Sequence, residues 1–103
     1  MLDPGFKTKL PQVIDLLKKH KVSKAFAFGS VCSIRFNEKS DIDLLISFDP
    51  RLEPLEKGEL WWDLVFALED TLKRQVDLIT ESSLSNPYLI QSIDSNKELI
   101  YAA

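Results

Sequence analysis

Cysteine is almost missing from this chain. Cys32 stands alone in 103 residues, so no internal disulfide can form, and a reducing compartment fits such usage best. Histidine is equally scarce. His20 has no second His or Cys at ligand spacing, which argues against a zinc site. No apolar run is long enough to span a bilayer, and Met1-Leu2-Asp3-Pro4-Gly5 lacks the basic-then-apolar form of a secretory signal. The expectation is a cytoplasmic protein with no membrane partner. A basic excess is absent too: 13 Lys and Arg against 16 Asp and Glu leave a net charge of −3. Surfaces that wrap nucleic acid usually carry the opposite sign, so direct nucleic-acid binding is not expected. There is no repeat, low-complexity tract or break in composition. A chain this short predicts one domain, 1–103, with a modest core that needs no staples.

What is present alternates between two periods. Leu10, Val13, Ile14 and Leu17 recur at helical spacing, and Pro11 is acceptable only in a first turn, so a first helix is expected from about Lys9 to His20. Val22 to Phe28 reads as a strand that ends at Gly29, and Ile42 to Phe48 as a second, with Leu44, Leu45 and Ile46 buried from both sides. Val31 to Lys39 reads as irregular or briefly helical. Pro50 and Pro54 mark a loop. From about Glu56 to Arg74, Leu60, Trp61, Leu64, Val65, Leu68 and Leu72 share one helical face. Gln75 to Thr80 is a third strand, Asn86-Pro87 opens a last helix that runs to about Ser95, and Glu98 to Ala102 can close the sheet as an edge. The predicted fold is α/β in one domain, a single mixed sheet packed with helices.

The chemistry concentrates in two short stretches. Phe28-Gly29-Ser30 places a Gly-Ser turn after a buried strand, where backbone N–H groups can approach a phosphate and the Ser30 hydroxyl adds a donor. Ser40-Asp41-Ile42-Asp43 then opens the next strand, and carboxylates two apart on a strand point to one face. The plain alternative is a solvated strand end. Against it, Asp43 interrupts an apolar run, and a carboxylate entering a sheet needs a cation or donors to offset its lost hydration. Asp77, between Val76 and Leu78, repeats the pattern. By itself it is an ordinary strand carboxylate facing water. If its strand neighbours that of Asp43, three carboxylates converge, enough for a two-metal clamp on phosphoryl chemistry or for taking a proton from an attacking hydroxyl. Cys32 lies near the turn but has no local base partner and reads as structural. Trp61 and Trp62 cannot share a helix face; one belongs to the core, and the other, with Phe66, reads equally as a core edge or an exposed partner surface.

At these residues the chain resembles the nucleotidyltransferases of the DNA polymerase beta superfamily, in particular their minimal (MNT-type) branch. The likeness rests on Gly29-Ser30, the interval to Ser40-Asp41-Ile42-Asp43, and Asp77 on a later strand, and it covers nearly the whole chain. The resemblance implies that Asp41, Asp43 and Asp77 are the catalytic, metal-binding carboxylates for Mg²⁺, with two ions. It also implies that Gly29, Ser30 and Ser40 contact the nucleotide, with ATP as substrate. The reaction implied is transfer of a nucleoside monophosphate, AMP, to a hydroxyl with release of pyrophosphate. Minimal members are often encoded beside a helical HEPN protein as the antitoxin of a toxin–antitoxin pair. That implies a hetero-oligomer with a HEPN-domain partner whose tyrosine accepts AMP. In one segment the sequence departs from the family. Where many members carry Arg-x-Arg-Gly after Gly-Ser, this chain has Val31, Cys32, Ser33 and Ile34. Arg35, Lys39 or a partner's residue would have to supply that charge. Two other readings of the same residues are a non-catalytic module that neutralises a toxin by covering it, and a transferase to a small-molecule hydroxyl such as an aminoglycoside.

Overall fold

A strand order of β3-β2-β1-β4 defines the molecule, with three helices laid on the sheet. The computed structural model describes residues 1–103. In chain order the elements are α1 (Pro4–Lys19), β1 (Val22–Phe28), β2 (Ile42–Phe48), α2 (Pro54–Leu72), β3 (Val76–Thr80), α3 (Pro87–Asn96) and β4 (Glu98–Ala102). A short 3-10 turn, Gly29–Cys32, follows β1. β1 is antiparallel to both β2 and β4, whereas β2 and β3 run parallel through the α2 crossover. The sheet is therefore mixed, as the alternation of elements predicts.

The first helix begins earlier than its apolar spacing indicates, at Pro4 instead of near Lys9. Asp3 caps it, its carboxylate accepting from Phe6 N at 3.1 Å, and Pro4 fits the first helical position. Phe6, only 3% exposed, anchors that added turn in the core. Pro11 sits inside the helix on its exposed side, so burial of Phe6, Val13 and Leu17 on the other side outweighs the backbone bond that proline forfeits. The second helix likewise begins two residues early, at Pro54.

The two sheet faces differ. Ile42, Leu44, Ile46 and Phe48 of β2 join Ala25, Ala27, Val76 and Leu78 beneath Val13 and Leu17 of α1 and Leu64, Val65, Leu68 and Leu72 of α2. The opposite face carries a much smaller cluster, Phe28, Leu45 and Ile93, under α3. Leu45 is buried there while its neighbours Leu44 and Ile46 are buried on the other side, which explains the unbroken apolar run. The short α3 covers only part of its face, and the carboxylates lie on the same face as Leu45.

Candidate active site

The parallel register of β2 and β3 sets Asp43 directly beside Asp77. In a parallel pair, residues in register point to the same face, so the two carboxylates stand side by side. Asp41 precedes Asp43 by two residues and leads into the same face at the mouth of the strand. Asp43 is half-buried, and Asp41 and Asp77 are exposed. Burial first, then the charge of Asp77, then that of Asp41, raise the Asp43 carboxyl to about 6. Three carboxylates, one of them distant in sequence from the other two, thus share one field.

Gly29 closes the site from the β1 side. Its φ is 75°, a left-handed conformation that favours glycine. A Cβ on Gly29 would run into the Asp43 carboxylate. Backbone and carboxylate therefore meet without an intervening side chain. The turn after Gly29 is held by Ser33, whose N and Oγ donate to Ser30 O at 2.9 and 3.1 Å. Asp3 N donates to Val31 O at 2.8 Å, and Asn96 Nδ2 of α3 to Gly29 O at 3.4 Å.

α2 fixes the position of Asp77. β3 is an edge strand, and its outward groups are bound by helix side chains on either side of Asp77. Glu69 accepts from Val76 N at 3.0 Å, and Trp61 Nε1 donates to Leu78 O at 2.9 Å. Trp61 is the tryptophan that packs against the core; Trp62 projects outward and stacks on Phe66.

Ser40 is engaged in a turn. Its Oγ accepts from Asn37 N at 3.1 Å, and its carbonyl accepts from Arg74 Nη1 at 2.9 Å. Arg35 and Lys39 are exposed, as is Ile34, while Val31 is fully buried. The segment that replaces the basic run therefore contributes a core residue, Val31, and no cation. Cys32 donates to Ala27 O at 3.3 Å, and burial together with the charge of Glu98 pushes its thiol up to about 11. Such a thiol is not a nucleophile at neutral pH.

The residues fit a hard divalent cation. Asp41, Asp43 and Asp77 offer only oxygen donors, and none enters an ion pair within the chain. They do not form a closed cage by themselves, since no three His, Cys, Asp or Glu side chains are grouped to hold an ion. Mg²⁺ does not require one: it commonly takes one or two carboxylates and completes its shell with water and substrate phosphates.

The sequence did not reveal Arg74. Its Nη1 donates to Asn37 O at 2.7 Å as well as to Ser40 O, and its guanidinium lies 4.2 Å from the centre of the Phe36 ring. These partners are far from Arg74 in the chain, and no local pattern signals them.

Residues 11–103 match the family described as "Polymerase beta, Nucleotidyltransferase". A protein of Methanocaldococcus jannaschii, provisionally named a protein adenylyltransferase, is 36% identical over 100 residues, covering 89% of this chain and 96% of its own. A second from that organism, with the same provisional name, is 40% identical over 87 residues, covering 84% and 83%. Among solved structures, one provisionally described as a minimal nucleotidyltransferase is 28% identical, with a TM-score of 0.72 and 95% of each chain covered. A toxin–antitoxin structure with AMP-PNP shares the fold at 24% identity and a TM-score of 0.72, over 91% of this chain and 73% of that one. So does a structure of tri-AMPylated Shewanella oneidensis HEPN toxin in complex with MNT antitoxin, at 22% identity and a TM-score of 0.67, over 94% and 72%.

Proposed function

We propose, from the premise that the chain belongs to the polymerase beta nucleotidyltransferase family, that it moves AMP from ATP to a tyrosine of a HEPN-domain partner in a Mg²⁺-dependent reaction. The reading treats residues 1–103 as one nucleotidyltransferase domain acting as an antitoxin. One observation carries it: Asp43 and Asp77 lie in register on neighbouring strands, against a glycine turn with no side chain between. The provisional names of the two Methanocaldococcus jannaschii relatives support the protein acceptor. The fold shared with an MNT antitoxin complex of a tri-AMPylated HEPN toxin supports the partner class.

Asp41 and Asp43 would hold the metal and Asp77 would complete the site. Bound there, Mg²⁺ neutralises charge on the phosphates and on the departing pyrophosphate. The chain's own residues orient the reactants. Gly29 lets the triphosphate approach the backbone, and Ser30 and Ser40 border that approach. The acceptor oxygen attacks the α-phosphorus, the bond from that phosphorus to the bridging oxygen breaks, and pyrophosphate leaves. The hydroxyl proton passes to the Asp77 carboxylate. No covalent enzyme intermediate is required, which agrees with the inert Cys32.

Incubation of the purified chain with α-labelled ATP, Mg²⁺ and a HEPN-domain protein from the same genome tests the reading. Label is expected on the partner, and a Tyr→Phe change at the labelled position should remove it. An unlabelled partner would sink the assignment.

A further inference from the structure

We propose that Arg74 is a positioning residue. By gripping the Asn37–Ser40 turn it holds Asp41, at the mouth of β2, against the mouth of β3, with Asp77, and so sets the affinity of the site for divalent metal with nucleotide. The inference rests on the nucleotidyltransferase reading of those carboxylates and assigns a role to a side chain outside them.

The geometry has three parts. One Arg74 nitrogen, Nη1, donates to two carbonyls, Asn37 O at 2.7 Å and Ser40 O at 2.9 Å. The guanidinium lies over the Phe36 ring, at the other end of the same turn, with Cζ 4.2 Å from the ring centre. The turn is itself closed twice, by Ser40 N donating to Asn37 O at 3.1 Å and by Asn37 N donating to Ser40 Oγ at 3.1 Å. Arg74 thus holds a preformed loop rather than a loose chain.

Its position in the sequence gives the grip a consequence. Ser40 immediately precedes Asp41, and Arg74 comes three residues before Asp77. Between them the strands first join where Ile42 N donates to Gln75 O at 3.0 Å. A shift of the Phe36–Ser40 segment therefore moves Asp41 relative to Asp77, while the paired strands beyond Ile42 stay in register. Lysine cannot replace Arg74. An ammonium has no planar face for Phe36 and does not reproduce the guanidinium's fixed donor geometry. Groups that orient the carboxylates of a metal site typically influence metal affinity without touching the ion.

The test uses Mn²⁺ with a non-hydrolysable ATP analogue, and reads free Mn²⁺ by electron paramagnetic resonance. Wild type, Arg74→Lys and Phe36→Leu are compared, together with amide hydrogen exchange at Ser40, Asp41 and Ile42. Arg74→Lys is expected to lose about tenfold or more in Mn²⁺ affinity, with faster exchange at those amides and a retained melting transition. Phe36→Leu, which keeps the apolar volume but removes the aromatic face, should lose less in the same direction. It carries the comparison if Arg74→Lys does not fold. If wild type binds Mn²⁺ with the analogue and the variants bind as well as wild type, the positioning role is wrong, whatever the exchange rates. If wild type itself binds no Mn²⁺ with the analogue, the nucleotidyltransferase reading falls and takes this inference with it.

Discussion

Asp43 lowers the stability of the fold at neutral pH. Its carboxyl titrates at about 6 in the folded chain against an ordinary 3.8. Between those values the folded state binds more protons than the unfolded one, so stability falls as pH rises through that window. The penalty is fully present above about 6 and absent below the ordinary value. Asp43→Asn removes it. That variant should transfer no AMP, yet melt higher than wild type at pH 7.5 without divalent metal, and the difference should vanish near pH 3.5. Thermal melts across pH check this; a lower melting temperature for Asp43→Asn at pH 7.5 would contradict it. Gly29 makes the opposite bargain, since a side chain there meets both a left-handed φ and the Asp43 carboxylate. Gly29→Val should destabilise by about 2 kcal/mol, read by urea unfolding, and should lose nucleotide binding. At this scale the sequence was informative where chemistry and pattern conflict. Carboxylates inside apolar strands marked Asp43 and Asp77 as unusual, and the strand register brings them together. Arg74, Glu69 and Trp61 were not legible as site supports, because each works through a contact with a distant backbone atom.

Among the elements, β1 and β2 were readable to their end residues, since their apolar segments terminate at Gly29 and at Asp49-Pro50. β4 is the expected edge, and α3 opens at Asn86-Pro87 with Asn86 Oδ1 accepting from Tyr88 N at 2.9 Å. The start of α1 was not readable from periodicity. Pro11 reads as a first-turn residue, whereas the Asp3 cap and the burial of Phe6 decide the matter from further upstream. Asp3→Ala should accordingly cost about 1 kcal/mol in chemical denaturation. The exposed side of α2 gives a second contrast. Trp62 and Phe66 stack on each other at 5.9 Å but remain 58% and 61% exposed. Leu64, two residues from each and so on the opposite side of the helix, is fully buried. Leu64→Ala should lose about 2–5 kcal/mol, and Trp62→Ala far less, in parallel urea titrations. Comparable losses would mean that Trp62 packs where this structure leaves it exposed.

At the scale of the whole molecule, the radius of gyration of 13.0 Å is that of a single compact domain of about 100 residues. One face of its sheet is spent on the core. The other holds only Phe28 and Leu45 buried against Ile93 of α3, which leaves the carboxylates and the glycine turn accessible. No helix is long and apolar enough to cross a membrane. The fold class was legible because helices and strands alternate with clear boundaries. The unequal covering of the two faces was not, since it depends on how far the short α3 reaches across the sheet. The central claim is that Asp41, Asp43 and Asp77 gather a divalent ion beside the Gly29 bend. Anomalous diffraction from crystals grown with Mn²⁺ and a non-hydrolysable ATP analogue tests it most directly. A manganese peak in coordination distance of the Asp43 carboxylate, with phosphate oxygens over Gly29, is the result predicted; a manganese and nucleotide bound elsewhere on the molecule, with these carboxylates left free, would contradict it.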